Sequence, residues 1–215
     1  MDKIASHEIF PNLRKHIALT VMEFKLSLDT DKIKTELDKY KSYLNSRNFL
    51  NGQAGTSFNE NFDLLLAPQF KDLRNEFEKC LNVYAEEIGY KDIEITESWF
   101  NIMTQGSKVV THIHNASIIS GSYYPIYPEG SAGLTFFNPL KPYKLCEDPE
   151  YNAPEYTFPV CEGDLLLFPS WFEHGTKINT TTNERYVVAF NTNIMGLDEY
   201  NATNYPEKAL QASGY

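Results

Sequence analysis

Apolar positions in the first ninety residues follow two different rhythms. From about Ala18 to Leu26 they alternate imperfectly (Leu19, Val21, Phe24, Leu26), which predicts an opening strand. From Asp29 or Thr30, either of which can cap a helix, Ile33, Leu37, Tyr40 and Leu44 recur at spacings that place them on one helical face, and this helix should end near Arg47. The Asn- and Gly-rich stretch from Asn48 to Asn61 reads as a loop. A second helix is predicted from Pro68, a residue the first turn tolerates, with Phe70, Leu73, Phe77, Leu81, Tyr84 and Ile88 along one stripe until Gly89 stops it. Two amphipathic helices need a surface to cover.

That surface comes next. From Glu94 the period changes to two, and short aromatic or β-branched runs alternate with turn signals: Gln105-Gly106, Pro128-Glu129-Gly130, Glu162-Gly163 and the Thr/Asn run from Asn179 to Asn183. About eight strands are predicted, near Ile95–Met103, Lys108–His114, Ile118–Tyr127, Gly133–Asn138, Tyr156–Val160, Asp164–Pro169, Gly175–Ile178 and Arg185–Ile194. The expected fold class is mainly β with flanking α: a double-stranded jelly roll with two supporting N-terminal helices. One domain is expected over 1–215, divided into an opening strand and helical support (about 1–93), a jelly-roll core (about 94–195) and a C-terminal tail (196–215). The long acidic segment from Leu140 to Glu155 reads either as a lid over a site or as a solvated excursion.

Composition narrows the partners. The chain has 215 residues, enough for one sizeable domain, and its 11 Gly and 11 Pro with 42% hydrophobic content are those of a globular protein. A net charge of −10 argues against broad binding to nucleic acid or anionic membranes, and no window approaches a membrane span. Three widely spaced cysteines (Cys80, Cys146, Cys161) suggest neither a disulfide framework nor a cysteine-rich zinc site, and the N-terminus lacks the apolar core of a signal peptide. A soluble protein of the reducing cytoplasm is expected.

Of five histidines, His7 and His16 stand alone, and three gather in the strand-rich half. His112 and His114 are two apart in a predicted strand, so both imidazoles leave the same face and can aim at one point. His174 follows Phe168-Pro169-Ser170-Trp171-Phe172-Glu173 at the start of a strand that can return beside that pair. Three neutral imidazoles suit iron, zinc, copper or nickel and leave coordination positions open. Two such histidines can equally hydrogen-bond one another or the backbone. Arg185, on the last strand, is costly to bury unless paired. No carboxylate-bearing motif nearby is an obvious partner, so a ligand carboxylate is a natural counter-charge. Ser170 and Cys161 have no base in a suitable sequence context, so nucleophilic catalysis is not indicated.

The ordered set His112-x-His114, Ser120-Gly121-Ser122-Tyr123-Tyr124, Gly163-Asp164-Leu165-Leu166-Leu167-Phe168-Pro169-Ser170-Trp171 with His174, then Arg185 and Phe190-Asn191 resembles the iron(II)/2-oxoglutarate-dependent oxygenases of bacteria and tailed phages, an H-x-H variant of the prolyl-hydroxylase-like superfamily. The resemblance spans roughly Trp99 to Asn193. It implies a double-stranded β-helix, Fe(2+) and 2-oxoglutarate as cofactors, and His112, His114 and His174 as metal ligands. It further implies Arg185 on the distal carboxylate of 2-oxoglutarate, with Tyr124 and Asn101 as further cosubstrate contacts. Trp171 and Phe172 are expected to wall the pocket, and no catalytic residue beyond the metal ligands is expected. The wider superfamily has a carboxylate where this chain has His114. Either the site is three imidazoles, or His114 stands behind it and a carboxylate such as Glu173 or Asp164 completes it.

The expected activity is hydroxylation of a small molecule or a peptide or protein side chain, with release of succinate and CO2. A cupin-like metal dioxygenase without 2-oxoglutarate and a non-enzymatic jelly-roll binding module are the alternatives. Replacement of Arg185 separates the first two, and metal analysis separates the third. Glu147, Asp148, Glu150 and Glu155 in the proposed lid can attract a basic peptide or amine, or are background charge in an acidic chain.

Overall fold

The computed structural model describes residues 20–46, 50–51, 54–58, 62–139 and 153–196. The chain opens with strand β1 (Met22–Lys25) and helix α1 (Thr30–Asp38). Asp29 caps α1 by accepting a hydrogen bond from the Lys32 N–H at 2.9 Å. The helix is shorter than its periodicity predicts. After Asp38 the chain tightens into a 3-10 turn (Lys41–Tyr43), Leu44 turns extended, and Asn45 pairs with Thr56. The aromatic side chains account for the break, because Tyr40 tilts against Phe62 and Phe70 while Tyr43 stacks on Phe62 at 5.0 Å. The predicted Asn48–Asn61 loop contains two short strands, β2 (Leu50–Asn51) and β3 (Ala54–Thr56), too brief to leave a periodic signature. Pro68 opens a 3-10 turn that leads into α2 (Lys71–Ile88), and Gly89 ends that helix in the left-handed region at φ 87°.

The remaining strands are β4 (Ile93–Met103), β5 (Lys108–Val109), β6 (Ile119–Ile126), β7 (Leu134–Phe137), β8 (Glu155–Thr157), β9 (Asp164–Pro169), β10 (His174–Thr176) and β11 (Arg185–Ile194). Eleven strands are thus found among the described residues, against about eight predicted. They form a six-stranded sheet in the order β1-β9-β6-β11-β4-β3, a three-stranded sheet β10-β7-β8 and the pair β2-β5, with every pairing antiparallel. The predicted strand Lys108–His114 is regular only over its first two residues. Beyond them it joins the smaller sheet through a single bridge, His112 to His174. The proposed lid falls on 140–155, of which 140–152 lie outside the described residues.

Period-two alternation sorts the large sheet into two faces. Phe100 and Ile102 of β4, Tyr123 of β6, Leu165 and Leu167 of β9, and Tyr186, Val188 and Phe190 of β11 pack with Phe77, Leu81 and Tyr84 of α2 in one core. Tyr124, Leu166, Phe168 and Val187 point the other way and pack with Leu134, Phe136 and Phe172 between the sheets. The helical face is tight: a Cβ on Gly121 would sit 2.2 Å from the Phe190 ring, which stacks on Phe77 at 5.1 Å. Only glycine lets that ring lie across β6. Among the described residues no helix is long and apolar enough to cross a membrane.

Candidate metal centre and its cavity

Backbone pairing brings the three histidines together. His112 and His174 exchange backbone N–H···O bonds at 2.9 and 3.0 Å, and the His114 N–H donates to the Ser170 carbonyl at 2.9 Å. Gly175 permits this approach, since a Cβ there would meet the Val109 carbonyl oxygen at 3.0 Å and the Thr111 nitrogen at 3.1 Å. One ring nitrogen from each of His112, His114 and His174 lies within 4.8 Å of the other two.

Two of the rings are oriented by the chain itself. Nδ1 of His112 lies 2.7 Å from the Val110 carbonyl oxygen, and Nδ1 of His174 lies 2.7 Å from that of Phe172. A carbonyl can only accept, so each Nδ1 carries the proton and each Nε2 keeps a lone pair. His114 Nε2 lies 3.2 Å from His174 Nε2, and its Nδ1 lies 3.0 Å from Asn191 Nδ2. Asn191 is held in turn: its Oδ1 accepts from the Ser120 hydroxyl at 2.7 Å, and its Nδ2 donates to Glu97. Burial lowers the pKa of all three histidines, to about 3 for His114 and His174, where mutual repulsion of the rings adds to the effect. They are neutral at physiological pH, the form that binds a metal.

These rings open onto a cavity of about 290 Å3. Much of its wall comes from the inward positions of three strands: Glu97, Trp99, Asn101 and Met103 of β4; Ser122 and Tyr124 of β6; Arg185, Val187, Ala189 and Asn191 of β11. Arg185 is 1% exposed. Its Nη1 points at the Met103 sulfur at 2.9 Å, and its guanidinium lies 5.3 and 5.8 Å from the Tyr124 and Tyr127 rings. Among the described residues it has no carboxylate partner, and burial pulls its pKa below the usual value. Burial also pushes the Tyr124 hydroxyl up to about 12, so it stays protonated. Arg185 Nε, the Tyr124 hydroxyl, Asn101 Oδ1 and Trp99 Nε1 are all buried without a hydrogen-bond partner among the described residues. Native interiors rarely leave such groups orphaned. The unpartnered donors of Arg185 and Tyr124, in one cavity with three convergent imidazoles, fit a metal with a bound, oxygen-rich anion.

Of the residues singled out in the sequence, His112, His114, His174, Arg185, Tyr124 and Asn101 share this cavity. Trp171 does not. It is 54% exposed on the turn after β9, where no sheet alternation fixes its direction, and Phe172 packs on Phe136 at 4.8 Å instead of lining the cavity. Neither proposed carboxylate reaches the histidines: Glu173 is exposed, and Asp164 is tied to Lys25 at 2.9 Å and to the Cys161 N–H. The wall residue is Trp99, 5.8 Å from His114 between ring centroids, and the acid in the cavity is Glu97. Strand parity from Asn101 was the signal that could have found both.

Residues 97–191 match the model of a family described as "Putative 2OG-Fe(II) oxygenase". No curated protein matches the sequence. Solved structures share the fold at low identity. HygX from Streptomyces hygroscopicus, with nickel and 2-oxoglutarate bound, is 12% identical with a TM-score of 0.60, the match covering 86% of this chain and 87% of HygX. A Pseudomonas putida prolyl-4-hydroxylase is 13% identical with a TM-score of 0.57, covering 88% of this chain and 98% of its own. An oxidoreductase of the 2OG-Fe(II) oxygenase family from Burkholderia pseudomallei is 11% identical with a TM-score of 0.56, covering 89% and 92%.

Proposed function

We infer that the protein is an iron(II)- and 2-oxoglutarate-dependent oxygenase: the substrate C–H bond, 2-oxoglutarate and O2 give the hydroxylated product, succinate and CO2. One observation carries the reading. A fully buried guanidinium with no carboxylate partner among the described residues shares a cavity with three converging imidazoles, and a dianion that is also a metal chelator satisfies both.

In this assignment His112, His114 and His174 hold the iron. The Val110 and Phe172 carbonyls fix the tautomers of His112 and His174 and so aim their Nε2 lone pairs. Arg185 takes the distal carboxylate of 2-oxoglutarate, Tyr124 donates its hydroxyl to the same group, and Asn101 offers its amide to the bound acid. When bound, iron and 2-oxoglutarate supply the oxygen-activating redox chemistry that no side chain can. The chain contributes orientation and a dry wall. Trp99, Met103, Leu134 and Val187 line the cavity and keep water from the reacting groups. With no carboxylate among the ligands, the charge of iron(II) is balanced by the dianion alone, so metal and 2-oxoglutarate should bind with strong mutual dependence.

The substrate is a small molecule or a peptide or protein side chain; among fold neighbours, HygX is crystallised with hygromycin B and another is a prolyl-4-hydroxylase. Helical support and jelly roll act as one unit, and a reducing cytoplasm suits ferrous iron. The test is incubation of the purified protein with Fe2+, 2-oxoglutarate and O2 and assay of succinate. No succinate with any candidate substrate, together with no 2-oxoglutarate binding by calorimetry, would overturn the assignment.

A further inference from the structure

The cavity has electrical ends. β4 and β11 run antiparallel across it in a register that pairs Met103 with Arg185 at one end and Glu97 with Asn191 towards the other. Glu97 and Met103 are six steps apart along the strand, a distance of roughly 20 Å. The cationic end is Arg185. Among the described lining residues Glu97, at the opposite end, is the one carboxylate and Arg185 the one lysine or arginine. His114 belongs to the Glu97 end, because Asn191 Nδ2 contacts both His114 Nδ1 and the Glu97 carboxylate. His114 therefore lies towards the carboxylate, away from the seat for an anion.

Holding Asn191 uses one oxygen of Glu97, Oε1. A carboxylate offers about four lone-pair positions, and among the described residues no cation pairs with it. Beside it, Trp99 and Phe58 meet edge to face at 4.9 Å, and an indole face is the best aromatic surface for an organic cation. Trp99 is 5% exposed and its Nε1–H has no partner among the described residues, so a donor as well as an acceptor is waiting at this end. A carboxylate, an aromatic wall and an unpartnered indole N–H match an ammonium group with an oxygen acceptor near it.

Resting on the oxygenase assignment, we propose that the Glu97–Trp99–Phe58 end of the cavity binds the substrate, and that the substrate is a small organic ammonium compound carrying a hydroxyl or carbonyl oxygen. 2-Oxoglutarate then occupies the Arg185 end, and the two ligands are sorted by charge: each is repelled by, or left unpaired in, the other's seat. The acidic balance of the chain would draw such a cation from solution.

The test uses the protein loaded with Mn2+ and N-oxalylglycine, which cannot turn over, and calorimetry with three probes of one length: 5-aminopentanol, 1,5-pentanediol and 5-hydroxypentanoate. The amine should bind at least about tenfold more tightly than the diol, as a charge-assisted hydrogen bond implies, and the acid should bind worst. In Glu97→Gln, which keeps an oxygen to accept from Asn191, the preference for the amine should fall below about threefold. Equal binding of the three probes, no binding of the amine, or an unchanged preference in Glu97→Gln overturns the proposal. The wild-type comparison needs no variant to fold. A separate titration of the Mn2+-loaded wild type with 2-oxoglutarate distinguishes the failures: binding without ammonium preference defeats this proposal alone, whereas no 2-oxoglutarate binding defeats the assignment beneath it.

Discussion

Replacing Arg185 by Met should make the ligand-free protein more stable and the cosubstrate complex weaker. The two signs follow from one fact of the structure. The guanidinium is 1% exposed, keeps one nitrogen unpartnered and, among the described residues, lies against a thioether and two tyrosines with no carboxylate. Burying an unpaired charge costs several kcal/mol. The rings of Tyr124 and Tyr127 return about 1–2 kcal/mol of that. An uncharged side chain of similar reach should therefore raise stability by about 1–3 kcal/mol, since exchanging a buried charge for a packed apolar group is commonly neutral or favourable. For a chain of this size 2 kcal/mol corresponds to a rise in Tm of roughly 4–8 °C. Removing the partner of a buried carboxylate should in contrast cost 2-oxoglutarate about 2–5 kcal/mol, a loss of roughly 30-fold or more in affinity. Thermal unfolding with and without 2-oxoglutarate, and calorimetric titration of the Mn2+-loaded protein, read both numbers on the same samples. Addition of 2-oxoglutarate should raise the Tm of the wild type more than that of the variant. A Tm lowered by more than about 4 °C without ligand, together with an unchanged 2-oxoglutarate affinity, would show that the guanidinium is a structural tie, and the reasoning from its orphaned state would fail.

Three further perturbations probe the scaffold of the site. Gly175→Ala places a Cβ against the backbone of 109–111, which cannot rotate away. It should move His174 from His112 and weaken Mn2+ binding by about tenfold or more, and metal affinity unchanged in calorimetry would refute the account of that close approach. Gly121→Ala collides with the Phe190 ring at 2.2 Å and should cost about 1–3 kcal/mol by urea unfolding; adding Phe190→Leu should return part of the loss, and two additive losses would contradict the collision. His114 and His174 titrate at about 3 in the fold against an ordinary 6.5. Their folded pKa is lowered, so the unfolded chain takes up protons first as the pH falls: their contribution is whole above about pH 6.5 and is lost progressively towards pH 3. By pH 5 each can cost up to about 2 kcal/mol. Urea midpoints of metal-free protein should fall from pH 7 to pH 5 more steeply for the wild type than for His114→Gln, and parallel curves would be inconsistent with buried neutral imidazoles.

Much of this site was readable because alternation along a strand is a strict rule, and what escaped did so where that rule does not operate or was not extended. The parity that put His112 and His114 on one side also holds for β4, and applied from Asn101 it reaches Trp99 and Glu97 on the same inward face. Glu97 passes unnoticed in the sequence because a glutamate near the start of a strand usually faces water. Only the pairing of Glu97 with Asn191 across β4 and β11 makes it part of an interior network. Trp171 failed for the opposite reason. It follows a strand directly but sits on a turn, where the hydrogen bond from the Phe172 N–H to the Pro169 carbonyl bends the chain and breaks the alternation. The early loop concealed β2 and β3 because strands of two and three residues are held by the backbone of β5 and β4 and need no side-chain pattern of their own. The same distinction bears on the polar groups of the cavity. An apolar residue at an inward position declares itself by its chemistry, whereas an inward arginine, asparagine or glutamate can be recognised only by the partner it lacks. Arg185 was legible because the neighbouring strands offer it no obvious carboxylate-bearing motif as a partner. Glu97 was not, because the hydrogen bond that draws it inward comes from Asn191, 94 positions along the chain.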